Sequence, residues 1–139
     1  MKHIRNSDKV ISAADRTVAF TKAPNRKSVT VPATVTINDK TYSVTEINAA
    51  AFKGKKIRTV IIGKNVKKIR KNAFKGSAVT KLIVKTKKLK KATVKGSLKS
   101  SKVKTARVKV GKKSDNRKYV KAYRKIFTKA NAGKKARVR

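Results

Sequence analysis

At 139 residues and 38% apolar side chains, the chain is long enough to bury one core without disulfides or metal to hold it together. Its 42 lysines and arginines against five acids give a formal net charge of +37, which sets self-repulsion against folding at low salt and favours polyanionic partners. Cysteine is absent, so thiolate chemistry, disulfides and cysteine metal sites are excluded, and periodic Val, Ile and Phe argue against the disorder that such charge would otherwise suggest.

The leading stretch "MKHIRNSDKV" is basic but runs into no apolar segment of signal-peptide length, and no later run is long and apolar enough to span a bilayer. The chain therefore reads as soluble, and an extracellular role would call for a trimmed signal or a longer parent chain. "KVISAADRTVAF" alternates like a β-hairpin, with Phe20 placed to plug an open end of the core. "SVTVPATV" supplies a leading strand with Val29 and Val31 on one face, and "TVTINDKTYSV" reads as a second hairpin turning at Asn38-Asp39. Residues 1–43 are thus expected to form an N-terminal β cap and a leading strand.

Residues 44–65, "VTEINAAAFKGKKIRTVIIGKN", are followed directly by residues 66–87, "VKKIRKNAFKGSAVTKLIVKTK". At a period of 22 the units coincide at Val44/Val66, Ile47/Ile69, Ala51/Ala73, Phe52/Phe74, Lys53/Lys75, Gly54/Gly76 and Ile61/Ile83. So short a unit cannot bury its own apolar face, and successive coils must stack, with Phe52 over Phe74 and Ile47 over Ile69. The pattern predicts one short strand per coil, near 59–62 and 81–84, and a tight helical turn around "NAAAF" and "KNAF" that Gly54 and Gly76 terminate. A third copy carries two extra residues: Leu98, Val103 and Val108 each stand 24 after Phe74, Val79 and Val84, and "ARVKV" is its strand. The repeats then span 44–110.

Residues 111–139 read as a C-terminal helix cap. "SDNRKYVKAYRKIFTKANAG" places Tyr119, Tyr123, Ile126 and Ala130 on one helical face, with Ser114 or Asp115 capping the start and Gly133 ending the helix. "ARVR" supplies a candidate closing strand. The predicted fold is mainly β with short helices: a single-domain solenoid of about three coils at a 22–24 residue period, with a β-hairpin cap at one end and a helical cap at the other.

"VTEINAAAF" with "IRTVII", and "VKKIRKNAF" with "VTKLIV", resemble the BspA-like, or treponemal-type, leucine-rich repeats of bacterial surface proteins. Units of that family read like "V-x-x-I-x-x-x-A-F-x-x-C" before a short "L-x-x-I-x-I" strand. Here Lys55 and Ser77 stand where the family often has cysteine, and Gly63 and Lys85 where it often has proline. The resemblance implies a leucine-rich-repeat solenoid that is secreted or attached to the cell surface and binds macromolecules, with no catalytic residues and no cofactor.

Catalytic chemistry finds little to work with. His3 is the sole histidine and falls in a start expected to be disordered, so no imidazole is available to a triad or a multi-histidine metal site. Asp8, Asp15, Asp39, Glu46 and Asp115 are scattered, and Asp39 and Asp115 read as a turn residue and a helix N-terminal charge. "VKVGKKSDN" looks superficially like a phosphate-binding loop but has Ala106 where such a loop requires its first glycine. No helix-turn-helix, zinc-finger or RRM pattern appears, and the solenoid buries every aromatic except, mainly, Tyr42.

Two surfaces remain as candidate binding sites. Outward-facing strand positions form the columns Thr59/Lys81/Thr105, Ile61/Ile83/Arg107 and Gly63/Lys85/Lys109, an apolar strip of two exposed isoleucines bordered by cations. The far face of the terminal helix carries Lys118, Lys121, Arg124 and Lys125 without acidic i,i+4 partners. The expected partner is an acidic protein, glycan or cell-wall polyanion. Non-specific binding to nucleic-acid phosphates is the rival reading, and an inert spacer made soluble by its charge is the third. Membrane insertion is disfavoured, because capping the core consumes the helix's apolar stripe.

Overall fold

The structure, a computed structural model, describes residues 8–139, so His3 lies outside the described residues. β1 (Asp8–Ser12) and β2 (Thr17–Phe20) form the first hairpin, β3 (Ser28–Val31) is the leading strand, and β4 (Thr34–Ile37) and β5 (Lys40–Ile47) form the second hairpin. Its turn is where the sequence puts it. Asn38 and Asp39 take φ of 49° and 64°, the two-residue geometry whose twist suits a hairpin and which short polar side chains tolerate.

The repeats follow. β6 (Thr59–Ile62) and β8 (Lys81–Val84) fall at the predicted positions, and β9 (Thr105–Val108) occupies the "ARVKV" segment. The short β7 (Lys68–Ile69) pairs in parallel with β5, setting Ile69 beside Ile47. One five-stranded sheet runs β1-β2-β5-β4 with β7 added on β5; the other runs β10-β9-β8-β6-β3, where β10 is Arg137–Val138. Every pairing in this second sheet is parallel and in register. The solenoid makes about four turns, close to the three expected. The additional turn is made by residues 17–31, since β2 pairs with β5 as well as with its hairpin partner and β3 pairs with β6.

Identical spacing stacks identical side chains. Val29, Val60, Leu82, Ala106 and Val138 form one buried row of the parallel sheet, and Val31, Ile62, Val84 and Val108 form the next. Phe20, Phe52 and Phe74 stack through the core, with ring centroids 5.7 Å and 5.0 Å apart and the second pair within 3° of parallel. Offset stacking of this kind adds about 0.5–1.5 kcal/mol per pair to the burial of each ring. Between the strands the chain turns through short bonds, Lys53 N–H to Ala50 C=O and Lys75 N–H to Asn72 C=O, both 3.1 Å. Ala50 and Asn72 are left-handed, so the segment is a turn and not a stretch of helix; Gly54 and Gly76 end it at φ 70°, as expected.

The C-terminal cap differs from the single helix predicted. α1 (Lys113–Arg124) starts at Lys112 without any side-chain cap, and neither Ser114 nor Asp115 fills that role. Asn116 secures the approach instead: its Oδ1 accepts from the N–H groups of Val110 (2.7 Å) and Gly111 (3.1 Å), and its Nδ2 donates to Gly111 C=O. The helix then breaks, and Thr128 accepts from Asn131 N–H to begin a second helix, α2 (Lys129–Ala132), which ends at Gly133 with φ 86°. The break rotates the chain, leaving Ala130 exposed and burying Ala132 in its place. Tyr123, Ile126 and Phe127 are buried as the seal on the last coil, and Tyr119 is half-buried against Tyr123.

Two buried polar groups give measurable consequences. Ser97 occupies the slot that Ala51 and Ala73 fill in earlier coils, and its Oγ has no hydrogen-bond partner. Ser97→Ala is expected to stabilise the fold by about 1 kcal/mol in urea denaturation, since it removes an unpaired buried hydroxyl. Tyr123 donates its hydroxyl to Thr86 C=O at 2.6 Å, and burial pushes its pKa up to about 12. The neutral phenol is favoured only in the folded state, so its contribution is complete below the ordinary tyrosine pKa near 10 and is lost as pH rises through about 12. Relative to Tyr123→Phe, the wild type should lose stability across that window, at up to about 1.4 kcal/mol per pH unit.

Candidate ligand-binding surfaces

The outer face of the parallel sheet assembles the predicted strand residues. Register pairs Thr59 with Lys81 and Lys81 with Thr105, and Ile61 with Ile83 and Ile83 with Arg107. At a strand separation of about 4.8 Å, each column is a row of side chains along the solenoid axis. Thr59, Lys81 and Thr105 are half-buried, while Arg107, Lys85 and Lys109 are exposed.

Ile61 and Ile83, expected to be exposed, are half-buried. Each is flanked by its in-register neighbour, so the two side chains share an apolar contact across the parallel strands. Gly63, which heads the third column, is buried. A Cβ there would lie 2.4 Å from Val31 C=O, so the column opens on a steric requirement and its exposed members are Lys85 and Lys109.

Register also extends the columns beyond the residues the repeat comparison reached. Ser28 lies beside Thr59, Thr30 beside Ile61, and Arg137 beside Thr105. Arg139 closes the second column, donating its N–H to Ala106 C=O and accepting from Val108 N–H. The face therefore grades along the axis, from Ser28, Thr30, Thr59 and Ile61 at one end to Arg107, Arg137 and Arg139 at the other. Asp15 and Asp39 lie in hairpin turns, Glu46 accepts a bifurcated bond from the Arg70 guanidinium (3.0 and 3.1 Å), and Asp115 faces Lys87 at 3.7 Å. None of these four carboxylates lies on the parallel sheet.

The helix surface is less uniform than predicted. Lys118, Lys121 and Lys125 are exposed, with the Lys118 ammonium 5.9 Å from the Tyr119 ring. Arg124 has structural work: its Nε donates to Val138 C=O at 3.2 Å and ties β10 to α1. Tyr42, the aromatic expected to remain free for stacking on bases, is half-buried against the core. Among the described residues no group of three His, Cys, Asp or Glu side chains converges to hold a metal ion, and no helix is long and apolar enough to cross a membrane.

Comparison with known proteins follows the geometry. A family profile described as "BspA type Leucine rich repeat region" matches residues 16–108 in six copies. Its start at residue 16 includes the N-terminal turn that the 22-residue comparison missed. Among solved structures, the chain is similar to a leucine rich cell surface protein from Faecalibacterium prausnitzii A2-165, with 26% identity and a TM-score of 0.51. The match covers 76% of this chain but only 26% of that one, so the likeness is to a section of a longer protein. No curated protein matches the chain.

The Arg124 tether predicts a separation of roles within the helix face. Arg124→Gln should speed hydrogen exchange at the amides of Val108 and Arg139, which join β10 to β9, whereas Lys121→Gln should leave them protected.

Proposed function

Because the chain belongs to the BspA-type leucine-rich-repeat family, we propose that it is a non-catalytic binding and adhesion module of a surface or secreted repeat protein, one that recognises acidic macromolecules. The observation that carries this reading is the graded outer face of the parallel sheet, free of the four described carboxylates and cationic at its C-terminal end. A flat array of stacked columns suits an extended partner lying along the axis. Cations clustered at one end would capture it by electrostatic steering, and the Thr and Ile positions at the other would contribute selectivity. The cell-surface protein that the chain resembles supports an extracellular setting. An acidic protein, a glycan and a cell-wall polyanion are the partner classes that fit.

The rival reading, recognition of nucleic acid, has charge in its favour and little else. Phe20, Phe52, Phe74, Tyr123 and Phe127 are buried, which removes the stacking platforms that single-strand binders use. Lysine contacts to phosphate would still give salt-sensitive, sequence-independent binding.

Heparin and a labelled random duplex, titrated across a salt series, test the proposal. Lys85→Glu with Lys109→Glu is expected to weaken heparin binding about tenfold. Lys22→Glu with Arg26→Glu makes the same change in net charge near the N-terminal end and should cost only about twofold. Equal losses from the two pairs would remove the sheet face as the site. Duplex binding that survives high salt and resists heparin would favour nucleic acid as the partner.

A further inference from the structure

The protein carries a concave basic site that belongs to neither surface described above. β7, the 3-10 turn Ala92–Val94 and α2 enclose a groove of about 580 Å³, and none of its lining residues lies in the parallel sheet. That volume is within the range of about 300–1,000 Å³ typical of small-ligand sites. Lys68, Arg70, Lys71 and Lys95 bring four cations to its lining, Arg70 being paired with Glu46, and the small or apolar Ala49, Ile69, Ala92, Ala130, Gly96 and Gly133 make up most of the rest.

Two side chains in the groove are held in place. Glu46 binds Nε and Nη2 of Arg70, fixing the guanidinium plane while leaving its other donors available. Asn131 donates its Nδ2 to Lys91 C=O and to Ile126 C=O, both at 2.9 Å. That commits its amide nitrogen and turns its Oδ1 into the acceptor left for a ligand. A site with several cations, one fixed acceptor and small or apolar residues between them calls for a ligand with acidic groups, hydroxyl donors and flat faces. Sugars with acidic substituents have all three, whereas the lining has no aromatic side chain to stack on a base.

We propose that this groove binds a linear glycan bearing acidic groups, with Arg70, Lys71 and Lys95 pairing to the acids and Asn131 Oδ1 accepting from a sugar hydroxyl. The proposal rests on the reading of the protein as a binder of acidic macromolecules and assigns one ligand class to one place.

A hexamer of galacturonate serves as the probe, titrated calorimetrically at about 0.15 M salt against its methyl-esterified form and inorganic polyphosphate. Ala92→Tyr and Ala130→Tyr each fill the groove from an exposed position without changing net charge, so both preserve generic polyanion attraction. Each is expected to weaken hexagalacturonate binding at least about tenfold and to change binding of the random duplex less than about twofold, with the esterified sugar binding weakly throughout. Unchanged hexagalacturonate affinity in both folded variants would overturn the groove while leaving the broader reading intact. Polyphosphate binding as tightly, and blocked as strongly, would show a site that senses charge and not sugar. Wild-type protein that bound neither heparin nor hexagalacturonate would sink both readings together.

Discussion

The parallel backbone ladder is the constraint on which the rest of this molecule depends. Strands hydrogen-bonded in register at about 4.8 Å leave no freedom to offset one coil from the next. Whatever occupies a position in one coil lies directly against its counterpart. Inside, the consequence is favourable: Phe52 meets Phe74 nearly face to face, and Ile47 meets Ile69. Outside, the same rule brings lysine against lysine. Two unit charges about 5 Å apart in water repel by about 0.8 kcal/mol, and columns such as Lys53, Lys75 and Lys99 would repeat that penalty if their ammonium groups were held close.

The close approach of lysine stems to glycines shows how the columns are accommodated. A Cβ at Gly76 would come within 3.2 Å of the Lys53 side chain, one at Gly96 within 2.9 Å of Lys71, and one at Gly133 within 2.7 Å of Lys99. Lys53 and Lys71 therefore lay their aliphatic stems across the next coil, where the missing Cβ makes room, whereas Gly133 makes room for the Cβ and backbone of Lys99. Lysine is acting as apolar cover as well as charge. Gly76 and Gly96 consequently meet two demands at once, a left-handed backbone and a thin surface for the neighbouring stem.

The sequence displayed the parts of the fold that repeat strictly. The 22-residue identity between residues 44–65 and 66–87 located β6, β8 and the phenylalanine stack, and Asn38-Asp39 located a hairpin turn. It hid the parts where the period slips. A register shift between Val18 and Ala19 breaks the alignment of residues 17–31 with the next coil, so a full turn of solenoid read as a cap. In the C-terminal cap, tyrosine spacing implied one helix because periodicity cannot register the break that Thr128 makes, and Ala130 and Ala132 exchanged places as a result. The outer face was legible for the same reason as the core, since both follow from alternation along strands. The groove was not, because β7, the 3-10 turn and α2 are separated in sequence and only the solenoid's coiling brings their cations together.

Charge and architecture are thus coupled through the ladder. Stacking in register concentrates like charge along straight lines, and a net charge of +37 makes the folded state more repulsive than the expanded chain, where the same charges spread apart. Screening by salt relieves that strain without distinguishing one face from another. A linear polyanion lying along the columns would relieve it where the stacked coils align the charges. A partner that bound the folded state more tightly than the unfolded one would add that difference in affinity to stability. On the reading proposed above, recognition of an acidic chain and maintenance of the solenoid would draw on the same electrostatic free energy.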